Sequence, residues 1–587
     1  MLRTPGQNDP DPCEQQLTGI AWWFGNCRRC TEIEVVDHID HLDGTYTYTF
    51  AYDVTGATDP VTGASITYDS SLTHRLAIQL SGSINGVSLP FVNATYDFVP
   101  DDGELTHLRE IVSTASCNEC HGKLVAHGSR YETKYCVTCH NTGSTDNVTQ
   151  QTVDFSAMVH GIHASDKRAG DGAAAYVIGN ADFSEVTYPQ DLHNCLKCHN
   201  GADSATPQGN AWTLHPSKNA CGTCHATVDL STHMGGQSSN ANCAGRHTPS
   251  AIEGYHVTDN ATPNNPTVPA GSYNFTYEIA SVTASGSHQP MVNFRILKDG
   301  TPLNFASLPK DLTGSTTSPS FLVAHSQTNF QGSGTSLARH TVSVIKGVTG
   351  DPARRDVVDS AKCGNCHEWF EGHGGNRVYT VAVCSVCHNP NLSSSGRAAN
   401  VANVSSSTAE ALTAAGYDPT NPLTFPEASN DLKYLIHGIH ASGIRESDYE
   451  FVRDRGSSGV FYYDFNEVTF PGELNNCQTC HLPGTYDSAL PAGVMHTTDR
   501  TTDGTDVDGA AVAAARAAVP NSTDLVSTPT AAACYSCHTN ELARAHIEDN
   551  GGAIQAPRDT LLTGDVETCD VCHGAGRTVD VELVHGL

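Results

Sequence analysis

Two stretches of the chain alternate polar and apolar residues in the manner of half-buried strands. Between residues 32 and 107 the strings DGTYTYTF, LTHRLAIQLSG and NATYDFVPDDG are enriched in β-branched and aromatic residues and punctuated by Gly and Asp. Residues 257–355 repeat the pattern in SYNFTYEIASVTA, MVNFRILKDGTPLNF and LARHTVSVIKG, where KDG predicts a hairpin turn. Both stretches predict antiparallel β sandwiches or barrels. Residues 108–256 and 356–587 lose the alternation. They predict loop-rich blocks with short helices around recurring cysteine motifs and long connections such as residues 390–430. The predicted chain is α+β and multidomain, in the order β, helical, β, helical, after an N-terminal segment of residues 1–31 that fits neither pattern.

The cysteine motif gives the helical blocks their chemistry. Cys-x-x-Cys-His occurs nine times: Cys117, Cys120 and His121; Cys136, Cys139 and His140; Cys195, Cys198 and His199; Cys221, Cys224 and His225; Cys363, Cys366 and His367; Cys384, Cys387 and His388; Cys477, Cys480 and His481; Cys534, Cys537 and His538; Cys569, Cys572 and His573. Two thiols at this spacing reach the two vinyl groups of one porphyrin, and the next imidazole swings under the ring to bind iron, so each copy reads as a covalent haem c site. Zinc and dithiol spacings lack the attached histidine.

Composition changes the picture in three ways. Only 38% of the 587 residues are hydrophobic, so haems must supply much of the core. Of 22 cysteines all but Cys13, Cys27, Cys30 and Cys243 belong to the motifs, which leaves almost none for a disulfide framework; covalent haem attachment nevertheless implies an extracytoplasmic protein. A net charge of −31 argues against nucleic acid and anionic membrane as partners. No run is long enough to span a bilayer. The opening MLRTPGQNDPDPCEQQ has no apolar signal stretch, so the natural chain is expected either to begin upstream or to be a processed, truncated or misassigned product.

The helical blocks are copies of one unit. DFSEVTYPQDLHNCLKCH, ending at His199, aligns without gaps on DFNEVTFPGELNNCQTCH, ending at His481. Free histidines recur with it: His160 and His163 in HGIH match His437 and His440, His127 matches His373, and His233 matches His546. A last pair, His215 and His496, falls 16 and 15 residues after the third motif histidine of its half. Haem iron takes an axial ligand on each face. Five motif and five repeated free histidines per half therefore suit five bis-His haems, with these ten free histidines as distal ligands. Met158, Met234 and Met495 sit beside candidate histidines, but Leu435, Ile547 and Leu214 replace them in the other half, so methionine is read as packing. The remaining ten histidines, His193 among them, are read as surface or structural. Three apart on one helix, the HGIH histidines share a face and can serve two neighbouring irons.

One site is broken. NCAGRHTP puts Arg246 where the second cysteine of a motif at Cys243 and His247 would stand. A single thioether plus the histidine holds a tenth haem in this reading, with an empty site or a sequencing change at one codon as the alternatives. The CRRC at Cys27 to Cys30 is followed by Thr31, so it lacks an axial ligand and is a disulfide candidate at most.

NATYDFVP leading to REIVSTASCNECH, the HGIH pairs, ARRDVVDSAKCGNCHEWFEGHGGNRV and the terminal CDVCHGAGRTVDVELVHG together resemble the outer-membrane decahaem c-type cytochromes of the OmcA/MtrC family, over about residues 32–587. That resemblance implies split-barrel β domains at 32–107 and 257–355 alternating with pentahaem domains at 108–256 and 356–587, with ten haems in all. It also implies a cell-surface role passing electrons to metal oxides, soluble metals or flavin-type shuttles, with an outer-membrane barrel and a periplasmic multihaem cytochrome as partners. The chain departs from the family in a shortened first β domain, no lipoprotein signal, no cysteines in the second β domain, and the CAGRH motif. A multihaem reductase of a small oxyanion and a subunit of an extracellular haem filament are the rival functions.

Overall fold

The structure, a computed structural model, describes residues 35–258, 275–307 and 355–585 apart from short interruptions, of which 57–64 is the longest. Cys13, Cys27, Cys30 and the LARHTVSVIKG strand expected in the second β stretch lie outside the described residues. The chain divides into two compact units, Met1–Thr258 and Asp259–Leu587.

In the first unit Val35–Asp40 pairs antiparallel with Tyr46–Phe50, and His74–Leu80 with Val92–Phe98. Alternation along Val92–Phe98 leaves Tyr96 68% exposed and buries Asn93. The inward face is polar because it packs on a segment of the haem-motif block. Asn93 Oδ1 accepts from the Tyr131 N–H at 2.8 Å and its Nδ2 donates to the Ser129 carbonyl at 3.0 Å. Beside it Arg75 Nε donates to Asp97 at 2.7 Å and its Nη1 to the Lys134 carbonyl at 3.2 Å. The helices that follow are short and individually capped. Ser113, Asp154, Ser217 and Thr248 each accept a backbone N–H in the first turn of Thr114–His121, Phe155–His163, Lys218–Cys224 and Pro249–Tyr255.

The second unit begins with the antiparallel pair Phe275–Ala284 and Pro290–Lys298, bulged between Asn293 and Phe294. It turns at Asp299 and Gly300, both at positive φ (49° and 76°) as a type I′ turn demands, where the KDG string places it. Ile296 is buried against Tyr277, Phe294 and Leu303.

The haem-motif block of this unit holds more regular structure than its sequence suggests. Residues 390–430, expected to be a loop-rich connection, contain the helix Ser406–Ala414, capped by Ser405. Its Leu412 is fully buried with Phe425, Val452 and Val460. Two of those partners lie on a hairpin well downstream, Glu450–Asp454 with Val460–Asp464. A three-stranded antiparallel sheet, Thr497–Arg500, Leu525–Ser527 and Ala556–Pro557, adds to the scaffold. Long-range burial makes this helix, and no local period announces it. Glu427 is also buried here, accepting from Ser393 Oγ at 2.6 Å and the Thr501 N–H at 3.2 Å; burial pushes its carboxyl above the usual range.

Candidate functional site

Each motif closes into a turn that sets its cysteine and histidine side by side. The backbone N–H of His140, His199, His225, His247, His388, His481, His538 and His573 donates to the carbonyl of the first cysteine, four residues back, at 2.8–3.0 Å. His121 and His367 end the helices Thr114–His121 and Ser360–His367. Arg246 does not disturb this turn, since His247 bonds the Cys243 carbonyl at 2.8 Å.

Every motif histidine faces a second imidazole. In the first half the ring centroids are 6.1 Å apart for His121 and His163, 6.0 Å for His140 and His127, and 6.0 Å for His199 and His160. They are 6.3 Å apart for His225 and His256, and 6.0 Å for His247 and His233. The second half gives 6.0 Å for His367 and His440, 5.9 Å for His388 and His373, and 5.9 Å for His481 and His437. It ends with 6.0 Å for His538 and His585, and 6.1 Å for His573 and His546. An iron between two ring nitrogens, about 2 Å from each, needs centroids about 6 Å apart, so the residues fit a bis-His haem at every motif.

The fourth position of each half corrects the offset argument. His225 and His538 are faced by His256 and His585, not by His215 and His496. His215 is exposed after the helix Ala211–Leu214, and His496 is half-buried just ahead of the strand Thr497–Arg500. His256 and His585 belong to the histidines expected to be structural, because they follow the fifth motif of their halves by unequal intervals and have no aligned partner. A different signal marks them. Each sits four residues after a β-branched residue at the end of a short helix, as His163 and His440 do, and its Nδ1 meets that residue's carbonyl: Ile252 at 2.8 Å and Val581 at 3.2 Å. His193, also expected to be structural, bonds Asp191 at 2.7 Å and lies 6.2 Å from the His256 ring.

The glycine of HGIH is a point of close approach. A Cβ on Gly161 would meet the Tyr176 ring at 3.0 Å, and one on Gly438 the Tyr449 ring at 2.8 Å. In both halves a tyrosine thus presses on the helix between its two histidines, fixing the turn from which they reach different motifs.

Electrostatics agree with this use. Burial pushes His199 and His437 down to about 4, with a further push from His160 and His481 respectively, and lowers His160, His163 and His440. These imidazoles are neutral at physiological pH, the form that binds iron. Burial raises Cys117 and Cys363 to about 11 and Cys195 and Cys198 to about 12. They are protonated thiols at physiological pH, which disfavours disulfide exchange. Beyond burial, thiols of different motifs act on one another: Cys136 on Cys117, Cys117 on Cys198, Cys224 on Cys195, and Cys243 on Cys221. The second half matches, with Cys480 and Cys384 acting on Cys363, Cys537 on Cys477, and Cys569 on Cys534.

The model of the family described as "Outer membrane cytochrome MtrC/MtrF-like, domains II/IV" matches residues 109–257 and 355–586, and that of the OmcA-like N-terminal domain matches residues 24–105. The chain belongs to this family of outer-membrane decahaem cytochromes. It is 24% identical to the multihaem cytochrome MtrC of Shewanella baltica (strain OS185) over 574 residues, 91% of this chain and 79% of the relative. Its fold is similar to the crystal structure of the outer-membrane decahaem cytochrome OmcA (TM-score 0.56, 19% identity, 94% of this chain and 84% of that one). It is also similar to the crystal structure of MtrC from S. baltica OS185 (TM-score 0.52, 19% identity, 92% of this chain and 86% of that one). Family membership makes the chain a multihaem c-type cytochrome of electron transport.

Proposed function

We propose that the chain carries ten bis-His haems in two five-membered relays and conducts electrons at the outer cell surface to extracellular acceptors, namely metal oxides, soluble metals or flavin-type shuttles. When bound, haem supplies reversible one-electron storage at iron; the chain orients the ring and sets its potential. The proximal ligands are the ten motif histidines. The distal ones are His163, His127, His160, His256 and His233 in the first half and His440, His373, His437, His585 and His546 in the second. Ligand sharing supports a spatial order. The segment after His121 reaches the Cys136 site through His127, one HGIH helix serves the Cys117 and Cys195 sites, and the Cys221 and Cys243 sites exchange ligands. The relay therefore runs Cys136, Cys117, Cys195, Cys221, Cys243, and Cys384, Cys363, Cys477, Cys534, Cys569 in the other half.

The observation that carries this reading is that each motif histidine has a second imidazole about 6 Å away, which leaves no iron face open to a substrate. A reductase of small oxyanions needs such a face. The family supports placement at the outer membrane, with a barrel and a periplasmic multihaem cytochrome as electron donors. It also supports reading 32–107 and 257–355 as split-barrel domains alternating with pentahaem domains. Among the described residues no helix is long and apolar enough to cross a membrane. EPR and resonance Raman of the purified protein test the function: low-spin haem in both oxidation states is expected, and several high-spin haems per chain would remove the conduit in favour of a reductase.

A further inference from the structure

The two halves share a pattern in what their ligands do with the second ring nitrogen. In the first half the Nδ1 of His140, His163 and His256 meets the backbone carbonyls of Val153, Val159 and Ile252 at 2.9, 2.8 and 2.8 Å. In the second, His388, His440, His573 and His585 meet those of Asn430, Ile436, Val579 and Val581 at 2.9, 2.8, 2.9 and 3.2 Å. A carbonyl in that position makes Nδ1–H the donor, leaves Nε2 for iron and raises the basicity of Nε2. Four buried ring nitrogens find no acceptor among the described residues: the Nδ1 atoms of His160, His199, His437 and His481. These are both ligands of the Cys195 site and both ligands of the Cys477 site, the third motif of each half. The coincidence recurs in two copies of the unit whose surrounding scaffolds differ.

We infer that the haems at Cys195–Cys198 and Cys477–Cys480 are the highest-potential members of their relays, where an electron rests between neighbours. Two effects act in the same direction. Imidazoles without a carbonyl partner are weaker donors, so they stabilise ferric iron less. The site is also well enclosed, since the Nδ1 atoms of all four ligands are buried, and a desolvated environment disfavours the more positive oxidation state. Each relay thus has its energetic minimum at its middle position.

This inference rests on the proposed ligation, and one experiment separates the two. His437→Ala removes one ligand of the Cys477 haem and His160→Ala does the same for the Cys195 haem. His373→Ala, at a site whose His388 bonds the Asn430 carbonyl, is the control. Each holoprotein, checked for haem content and circular dichroism, is titrated with dithionite while low-spin EPR is followed. The expected result is that His437→Ala and His160→Ala each lose a low-spin component that wild type reduces among the first, whereas His373→Ala loses one reduced later. Loss of a late component in His437→Ala and His160→Ala would overturn the inference, and is what a carboxylate of a neighbouring porphyrin accepting these Nδ1 protons would produce. If His437→Ala gains no carbon monoxide binding, the ligand assignment falls and the inference with it.

Discussion

In the first haem block Lys197, inside the CLKCH motif, is buried to 3% exposure and pairs with Glu119 of the CNECH motif. In the second block the lysine comes from the opposite partner: Lys362, just before Cys363, donates to the carbonyls of Gln478 and His481 at 2.7 Å. Both devices tie the first motif to the third, and they differ chemically. The imidazole geometry is far more constant. Planes cross at 71° and 73° at the first site, 25° and 38° at the second, 45° and 32° at the third, and 77° and 70° at the fourth. The fifth site, with Arg246 in one copy, departs: 23° against 80°. What the duplication has kept is the placement of paired imidazole rings, while the polypeptide joining the sites has been free to change.

The comparison breaks most visibly if the repeated helix does not serve two sites. Replacing His437 and His440 together by Ala is expected to open two irons, each single change opening one, with His160 and His163 behaving alike. Carbon monoxide titration of the reduced proteins measures this, and a double variant with no added binding refutes the assignment.

A difference in stability comes next. The second block buries Asp499 at 5% exposure, its Oδ2 accepting from Ser527 Oγ at 2.6 Å and its Oδ1 without a partner among the described residues. Burial, reinforced by nearby Asp431, pushes its carboxyl up to about 7. A folded value above the unfolded one means stability that is fully present below about pH 4 and lost as pH rises through 7. Asp499→Asn should therefore stabilise the second block by about 4 kcal/mol above about pH 8, at about 1.4 kcal/mol per unit, and hardly at all near pH 4. Denaturant midpoints at the two pH values decide it, and an equal gain at both would show that charge is not the cause.

Gly438→Ala and Gly161→Ala sharpen the comparison further. Overpacking against the tyrosine should cost about 1–3 kcal/mol. The loss should be greater at Gly438, where the added Cβ meets Tyr449 at 2.8 Å, than at Gly161, where it meets Tyr176 at 3.0 Å. A greater loss for Gly161→Ala in chemical denaturation would mean that the ring contact does not set the helix position. The smallest effect is expected at Arg246. With a haem held by one thioether, intact mass corresponds to ten haems, and Arg246→Cys leaves that count unchanged while removing the red-shifted pyridine haemochrome of the unsaturated vinyl. A mass of nine haems rising to ten in the variant would show the site empty in the natural chain.

Legibility in the sequence falls with the distance between cause and effect. A haem attachment motif is local, so spacing alone picks out the ten motif histidines that each face a second imidazole, and the turn at Asp299 and Gly300 follows from three letters. Among the imidazoles that face a motif histidine, His127, His160, His163 and His233 are visible because a duplicated unit repeats their offsets. His256 and His585 are not, because the chain reaches them only after the fifth motif and the return path differs in length between the halves. His215 and His496 recur at nearly equal offsets without facing the fourth motif histidine, so repetition marks common descent of the segment as well as ligation. The helix Ser406–Ala414 is hidden for a related reason: its Leu412 is buried by strands that come later in the chain. The polar inner face of Val92–Phe98 is likewise set by the segment it meets, at Ser129 and Tyr131, and not by its own alternation.

The exchange of ligands between the fourth and fifth sites has a consequence for how the chain holds its shape. Under the proposed ligation each iron is a cross-link, covalent at the cysteines and coordinate at the distal histidine, and it closes a loop: residues 233–247 nest inside 225–256 in one half, and 546–573 inside 538–585 in the other. Such closures restrict the unfolded chain much as disulfides do. They answer to a different solvent variable, however. A dithiol reductant that dismantles a disulfide scaffold leaves these loops shut, while acid strong enough to protonate the distal imidazoles releases the nested pair together.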